Sequence, residues 1–353
     1  MTILKKLCIF VFLVFSTSAY SSQILFYTDN SFSNASLSNE RNIQFFEKHA
    51  SQIDIIAPQI YQIAKNGVVW GSIDPQVVSI ARKYKVKIMP LAINQGFSQD
   101  DLHTFLTTPS AINRAIQALI ALCQKNSFYG IQFDFENINI ADKQLYTNFI
   151  KLAADALHKK GYTVSVTIVP RTSLATIKNQ YDKFLVTNWS GAYDEKALAS
   201  VTDFITLMAY DRHTSLTTPG PIAPIAWVKE LVSIAIREVS PEKISLGIPV
   251  YSGFWSTLKK GQDFQGKEHQ ISHSEAMNYI KKYNLTVKWD DTTMTASAID
   301  SNQGKGLYQY LYLEDARSFA AKYALVKQYG LRGISVWQLG LGDPLIWKEI
   351  PTR

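Results

Sequence analysis

The feature of this sequence that most constrains its fold is a regular alternation of short apolar runs with longer helical ones. Each apolar run has the length and hydrophobicity of a buried strand, and the segments between them carry apolar residues three and four positions apart. Such alternation predicts a parallel sheet covered by helices, because parallel neighbours need helical crossovers. We count eight strand candidates: ILFYT (24–28), IDIIAPQ (53–59), VKIMPLAI (86–93), GIQFDFE (130–136), TVSVTIV (163–169), DFITLMAY (203–210), KISLGIPVY (243–251) and GISVWQL (333–339).

Eight strand–helix units in 353 residues predict a closed (β/α)8 TIM barrel. The alternative is an open doubly wound sheet, but the Gly-rich phosphate-binding fingerprint expected after its first strand is missing. The interval between the seventh strand and the last helix is about sixty residues, too long for one crossover. It contains one helical stretch and several strand-like pieces. We therefore expect a small α+β insertion at about 256–311, within a single catalytic domain spanning 22–353.

The N-terminus has the layout of a secretory signal peptide. Two lysines in MTILKK precede the apolar run LCIFVFLVF, and small residues follow in STSAYSS. We expect cleavage of residues 1–21 and an exported mature protein, periplasmic or secreted, with no membrane segment after cleavage. The apolar run is short for a membrane span, although an uncleaved signal anchor is the alternative.

Charge and cysteine content exclude several classes of function. Removal of Lys5 and Lys6 lowers the net charge from +7 to about +5, that is, 34 basic less 29 acidic residues. The basic residues are scattered without an Arg-rich stripe, which argues against nucleic acid as a partner. Cys123 is the only cysteine outside the signal, so neither an intramolecular disulfide nor a Cys-based metal site is possible. A monomer is expected.

The fourth strand candidate, GIQFDFE, carries polar residues at every second position. Side chains two apart share one face of a strand, so Gln132, Asp134 and Glu136 would point the same way. Burying a charged side chain costs free energy unless the charge is paired or has a role in function. This face is therefore a candidate catalytic site. The alternative is an amphipathic edge strand with its polar face in water.

In such barrels the chemistry lies at the carboxyl ends of the strands. There the other strands bring aromatic and polar side chains, with few lysines. Stacked aromatics with acids suit a sugar, whose ring faces are apolar and whose edges hydrogen-bond. Neither a Gly-rich phosphate loop nor a His/Asp metal cluster appears, so no metal or organic cofactor is expected. These residues are Tyr27, Asn94, Met208, Tyr210, Asp211, Tyr251, Trp255 and Trp337.

Three motifs carry a family resemblance. GIQFDFE resembles the strand-four motif of glycoside hydrolase family 18, and LMAYD resembles the strand-six motif of that family. The Trp of GISVWQLG stands where the family has the floor of its sugar site. The stretch from Gly220 to Trp255 resembles the branch that contains spore-germination and cell-wall N-acetylglucosaminidases. The resemblance extends from about Ile24 to Asp343.

The resemblance implies substrate-assisted hydrolysis of N-acetylglucosamine-containing glycans. Glu136 would be the general acid and then the base. Asp134 would hold the amide N–H of the substrate's acetamido group, and Tyr210 would hydrogen-bond its carbonyl. Trp337 would form the floor of the sugar-binding site. The substrate-binding candidates besides Trp337 are Asp211, Tyr251, Trp255, Asn94, Tyr27, Met208 and Gln132.

The sequence departs from the family pattern at two positions. Gln132 stands where many members have Asp; its amide can hydrogen-bond Asp134 but cannot share a proton with it. Tyr129 replaces the acid that often precedes the glycine. A catalytically inactive sugar-binding protein is the alternative function, and retention of Asp134, Glu136 and Tyr210 argues against it. The sequence does not separate a chitinase from a peptidoglycan glucosaminidase or a glycan-trimming endoglycosidase.

Overall fold

The structure, a computed structural model, describes residues 22–32, 39–171, 180–258, 267–302 and 307–353. The predicted signal peptide, 1–21, lies outside the described residues. Within them, eight parallel strands close into a barrel, since β1 pairs with both β2 and β15. This confirms the predicted (β/α)8 fold. The barrel strands are β1 (Gln23–Thr28), β2 (Ile55–Ile63), the third strand as two pieces, β4 (Lys87–Ile88) and β5 (Leu91–Asn94), then β6 (Gly130–Asp134), β7 (Thr163–Ile168), β8 (Phe204–Leu207), β9 (Ile244–Pro249) and β15 (Gly333–Trp337); β3 (Val69–Trp70) pairs with the end of β2.

Helices cover the barrel, and local signals set their ends. Asp74 caps α2 with Pro75 at its first turn, and α10 ends at Gly330 in the left-handed conformation. In the described part of the chain no helix is both long and apolar enough to cross a bilayer. The helices are α1 (Asn39–His49), α2 (Pro75–Lys83), α3 (Gln99–Leu106), α4 (Pro109–Asn126), α5 (Lys143–His158), α6 (Gln180–Leu185), α7 (Glu195–Val201), α8 (Ile225–Ala235), α9 (His273–Lys282) and α10 (Ala316–Tyr329).

The insertion is a separate antiparallel sheet between β9 and α10. Its strands, in the order β11-β10-β14-β13-β12, are β10 (Ser252–Thr257), β11 (Lys267–Ile271), β12 (Lys288–Asp290), β13 (Thr295–Asn302) and β14 (Leu307–Leu313). The α9 helix packs on this sheet and closes a small core of its own. The sheet begins at Ser252, earlier than the predicted start near residue 256, because the chain turns directly from β9 into β10.

Two of the barrel strands end earlier than the sequence predicts. The β6 strand ends at Asp134 and β8 at Leu207. Glu136 and Tyr210, predicted on strands, therefore lie on the loops that follow. Loops at strand ends can turn a side chain toward the barrel mouth, which a continuing strand cannot.

A chain of buried polar groups crosses the barrel interior below the strand ends. Gln132 Nε2 donates to Ser165 Oγ at 2.8 Å and to Thr206 Oγ1 at 3.1 Å. The Ser335 hydroxyl lies 3.1 Å from Thr206 Oγ1 and 2.7 Å from Ser245 Oγ. Each of these side chains is at most 2% exposed. Buried hydroxyls need such partners, and here they supply them to one another across five strands.

An ion pair is buried where the insertion rejoins the barrel. Lys322 Nζ on α10 lies 2.6 Å from Glu314 Oε2, and both side chains are 1% exposed. Ser318 donates to the same carboxylate oxygen at 2.6 Å. Burial raises the pKa of Glu314, and Lys322 and Ser318 oppose that shift. The pair fixes the start of α10 beneath the insertion sheet.

Removing one partner of this pair should be strongly destabilising. We expect Lys322→Met to lower the free energy of unfolding by about 3–5 kcal/mol, because Glu314 is left buried without its cation. Lys327→Met, at an exposed position of the same helix, should change it by less than about 0.5 kcal/mol. Chemical denaturation measures both. A loss below about 1 kcal/mol for Lys322→Met would show that the pair contributes little.

Candidate active site

A cleft of about 660 Å³ opens at the carboxyl ends of the barrel strands. Its described lining combines carboxyl groups, aromatic rings and apolar side chains. Of the residues that the sequence singles out, seven line it: Tyr27, Asp134, Glu136, Met208, Tyr210, Asp211 and Trp337. The structure thus brings together groups from β1, β6, β8 and β15.

Glu136 lies just past β6, partly exposed to the cleft. The side-chain amide of Asn94, at the end of β5, makes two hydrogen bonds with the backbone of Glu136. Asn94 Nδ2 donates to Glu136 O at 3.0 Å, and Glu136 N donates to Asn94 Oδ1 at 3.0 Å. Tyr193 donates to the preceding carbonyl, Phe135 O, at 2.6 Å. These contacts fix where the carboxyl group enters the cleft.

The pKa of Glu136 is raised well above its usual value. Burial is the largest cause, and the negative charges of Asp134 and Asp211 raise it further. Both effects disfavour the ionised form. Glu136 therefore retains a proton at a pH where an ordinary glutamate has lost it, which a general acid requires.

Asp134 ends β6 on the same face and is 3% exposed. Thr167 Oγ1 donates to its Oδ1 at 2.5 Å, and Gln59 Nε2 donates to its Oδ2 at 3.4 Å. Burial raises the pKa of Asp134, and these two hydrogen bonds oppose the rise. Since both donors are neutral, the carboxyl group is held in place without an ion pair.

Tyr210 and Asp211 lie on the loop after β8, two strands along the barrel from β6. Burial, more than the neighbouring charges, raises the pKa of Tyr210 well above its usual range, so its hydroxyl remains a donor. Asp211 has a left-handed backbone (φ 59°), and Tyr251 donates a hydrogen bond to its Oδ1. Burial raises the pKa of Asp211, and this bond opposes the rise.

Trp337 and Tyr27 form the floor of the cleft. Their ring centroids lie 5.6 Å apart at 48°. Tyr27 O accepts from Leu339 N at 2.9 Å, and Trp337 O accepts from Val250 N at 2.8 Å. The peptide bond from Trp337 to Gln338 is cis. The indole ring therefore lies on a backbone fixed by its neighbouring strands.

Four residues predicted to contact the substrate do not line the cleft. Asn94 is 3% exposed and braces Glu136, and Tyr251 is fully buried behind Asp211. Gln132 is fully buried below Asp134, and its amide donates to Ser165 and Thr206, not to Asp134. Trp255 belongs to β10 rather than to the seventh barrel strand, and it packs edge-on against Tyr312. Asn94 and Tyr251 thus hold Glu136 and Asp211, and contact of these four residues with a sugar stays a prediction.

An apolar wall and several polar groups of the cleft were not predicted from the sequence. The missed residues that matter most are Gln59, Val169, Phe184, Trp189, Leu216, Trp227 and Gln270. Most come from loops and helices that do not directly follow a strand end, where periodicity gives no signal. Gln270 comes from β11 of the insertion, so the second sheet forms one side of the cleft. Among the described residues, no cluster of three His, Cys, Asp or Glu could hold a metal ion.

Comparisons with known proteins agree with this geometry. The sequence model of the family described as "Glycosyl hydrolases family 18" matches residues 23–342. The glycosylase YvbX of Bacillus subtilis is 29% identical over 86% of this chain and 85% of its own. The cortical fragment-lytic enzyme of Bacillus anthracis is 32% identical over 72% of this chain, but this chain matches only 56% of that protein's length.

Solved structures share the fold. A chitinase from Chromobacterium violaceum superposes with a TM-score of 0.79 and 26% identity, covering 94% of this chain and 98% of its own. The spore cortex-lytic enzyme SleL of Bacillus megaterium superposes with a TM-score of 0.81 and 24% identity, covering 96% and 76%. At 24% identity, the likeness to SleL supports the fold and nothing further.

Removing the charge of Asp211 should shift the pH profile. Because that charge raises the pKa of Glu136, Asp211→Asn should lower that pKa. Activity is lost as pH rises through the pKa of Glu136, so the alkaline limb of kcat/KM should move to lower pH. Tyr251→Phe keeps the carboxyl group but removes the hydrogen bond that favours ionised Asp211, so it should move the limb in the same direction and by less than Asp211→Asn does. An unchanged limb in Asp211→Asn would contradict the charge coupling.

Proposed function

The chain belongs to glycosyl hydrolases family 18 and is a glycosidase, and from this premise we propose that it cleaves β-linked glycans containing N-acetylglucosamine by substrate-assisted retaining hydrolysis. The observation that carries the proposal is the pair Asp134, at the end of β6, and Glu136, two residues later on the following loop, which have raised pKa values and line one cleft together with Tyr210. Relatives named as a chitinase and as a cortical fragment-lytic enzyme support this substrate class.

Glu136 performs the proton transfers. Its raised pKa leaves it protonated, so it can donate to the glycosidic oxygen as that bond breaks. Once the leaving group departs, the ionised carboxylate accepts a proton from water, and the water attacks the anomeric carbon. The backbone clamp from Asn94 keeps the carboxyl group in one position for both steps.

The nucleophile is the substrate's own acetamido oxygen. It attacks the anomeric carbon and gives an oxazolinium ion, which water then opens to release the sugar with retained configuration. Asp134 opposes the positive charge of this ion and holds its N–H, and the Tyr210 hydroxyl donates to the acetamido carbonyl. In the free structure Asp134 is bonded to Thr167 and Gln59, both neutral, so its charge is not already cancelled by a cation.

The positions of Trp337 and Glu136 set the direction of the substrate. Trp337 ends β15 and Glu136 follows β6, on opposite sides of the barrel mouth. A sugar stacked on Trp337 with its scissile bond at Glu136 directs its leaving group past Glu136, toward the loop after β7. That side is lined by Val169 and Trp189, whose apolar surfaces suit the ring face of a second sugar or an apolar substituent on it.

Bacterial wall glycan is the favoured polymer. The cortical fragment-lytic enzyme of Bacillus anthracis supports it, and the apolar wall accommodates acyl or ether substituents better than a purely polar wall would. Such a polymer lies outside the cell, so the proposal includes export by the N-terminal signal.

Export can be tested on the protein itself. The lysines, apolar run and small residues at the N-terminus predict a mature chain that begins near Tyr20 or Ser22. Mass spectrometry of the protein recovered outside the cytoplasm measures its N-terminus. An exported chain with residues 1–21 intact would show that the segment is not a cleaved signal.

The mechanism predicts strict dependence on the acetamido group. Aryl glycosides of N-acetylglucosamine or its oligomers should be cleaved, and the matching glucose series should be bound but not cleaved. The reason is that a plain hydroxyl at C2 cannot act as the nucleophile. Release of the same aryl group from both series gives the comparison.

Glu136→Gln is the matched control for this experiment. With a poor leaving group it should cost at least about a hundredfold in kcat while sugar binding persists. Comparable cleavage of the two wild-type series would defeat the substrate-assisted mechanism. Near-wild-type turnover of Glu136→Gln would remove Glu136 from its role.

A further inference from the structure

A second concave site lies at the opposite end of the barrel from the cleft. It has a volume of about 330 Å³, within the range of small ligand sites. It lies between the C-terminal ends of α2 and α4 and the first residues of β4 and β6. Its lining residues are Val78, Ala81, Arg82, Lys85, Val86, Lys87, Ile88, Asn126, Ser127 and Tyr129.

This cavity is basic, and its cations have no acidic partners in it. Arg82, Lys85 and Lys87 are exposed side chains, and none of the described lining residues is acidic. Two acidic residues outside the cavity, Glu47 and Asp54, already have other partners. Glu47 pairs with Lys83 at 2.7 Å, and Asp54 accepts from Ile24 N at 2.8 Å and lies 3.8 Å from Arg353.

The dipoles of the neighbouring helices offset only part of the positive charge of the cavity. Two helices end here, and each C-terminus carries roughly half a negative charge. Cations at these ends are therefore expected on structural grounds, and Arg82 in the last turn of α2 is one. About one negative charge from the two helices leaves about two of the three positive charges uncompensated. Lys85 and Lys87 follow α2 and belong to no helix.

The cavity is also preformed. Arg353 donates to Tyr84 O at 2.9 Å and to Lys85 O at 3.3 Å, which holds the turn between α2 and β4. The Lys87 ammonium lies 4.2 Å from the centre of the Tyr129 ring, a cation–π contact that holds the lysine at the wall. The position of Lys87 is thus restricted, which reduces the entropy that its side chain loses when an anion binds.

Tyr129 contributes no negative charge that would neutralise the cations of the cavity. It stands at the position before the strand-four glycine, where the resemblance places an acid in many members. A carboxylate there would lie beside Lys87 and would neutralise part of the cavity. An aromatic ring leaves the charge in place and adds an apolar surface of the kind that a sugar contacts.

We propose that this basic cavity is a second, non-catalytic binding site for the phosphate groups of an anionic glycan. Phosphate fits better than a carboxylate because it is charged at all relevant pH values, accepts several hydrogen bonds and matches the guanidinium fork of Arg82. Lys85 and Lys87 supply additional point charges. A saccharide unit beside the phosphate lies against Tyr129.

The sharpest test compares two substitutions at one position. Tyr129→Asp introduces a carboxylate, and Tyr129→Asn has nearly the same shape without the charge. Binding is measured by co-sedimentation of the full protein with an insoluble glycan polymer that carries phosphodiesters. We expect Tyr129→Asp to weaken binding at least tenfold more than Tyr129→Asn does. Equal binding by the two variants would overturn the proposal.

A second pair of variants separates this cavity from overall charge. The triple variant R82Q/K85Q/K87Q should lose binding and show a weaker salt dependence. K151Q/K229Q/K281Q removes the same charge from exposed positions on α5, α8 and α9 and should bind like the wild type. Equal loss in both triples would mean general electrostatic attraction and would refute a specific site.

The source of the phosphate is distinguished by the ligand. The wild type should bind the intact polymer and lose binding after its phosphates are removed with hydrofluoric acid. Tighter binding to phosphatidylglycerol vesicles than to the polymer would overturn the assignment to a glycan. All variants should cleave soluble chitooligosaccharides at the wild-type rate. Because binding is read separately, failure of that activity would count against the proposed function and not against this site.

Discussion

Two carboxyl groups two residues apart at the end of one strand are the constraint from which the rest of the site follows. Asp134 ends β6 and Glu136 lies on the loop just after it; both line the cleft, and burial makes their simultaneous ionisation unfavourable. A salt bridge to either acid would lower its pKa and cancel the charge that the reaction needs. The surrounding contacts are instead neutral: Thr167 and Gln59 hold one side chain, and Asn94 holds the backbone of the other.

The replacement of Asp by Gln132 can be understood from the same constraint. A third acid on this face would add charge to an interior that already disfavours two. Gln132 instead donates to Ser165 and Thr206 and joins the chain of hydroxyls across the barrel. It cannot exchange a proton with Asp134, and in the structure it does not bond to it. Asp134 therefore depends on Thr167 and Gln59 for its hydrogen bonds, and the interior below it is a packing layer rather than a proton relay.

The barrel was predictable from sequence because its signals are local, whereas much of the site was not. Each buried strand is a continuous apolar run and each helix a periodic one, so their alternation predicts a parallel sheet with helical crossovers, and the count of eight units favours closure. The polar edge strand β11, KEHQI, has no such pattern and exists through pairing with β10. Trp255 illustrates this: it was expected near the end of the seventh strand, and it lies on β10 as a buried residue that packs against Tyr312. Trp189 was missed for the converse reason, since it reaches the cleft from a π-helical turn, Val186–Ser190, that directly follows α6.

The two ends of the barrel differ in charge, and their separation limits how they can cooperate. Strands of about six residues place the ends about 20 Å apart, so a glycan in the cleft and a phosphate in the basic cavity lie on opposite faces of the protein. A single short chain cannot occupy both. The basic cavity would therefore not orient the bond to be cleaved; it would hold the enzyme on a neighbouring polymer and raise the local concentration of substrate.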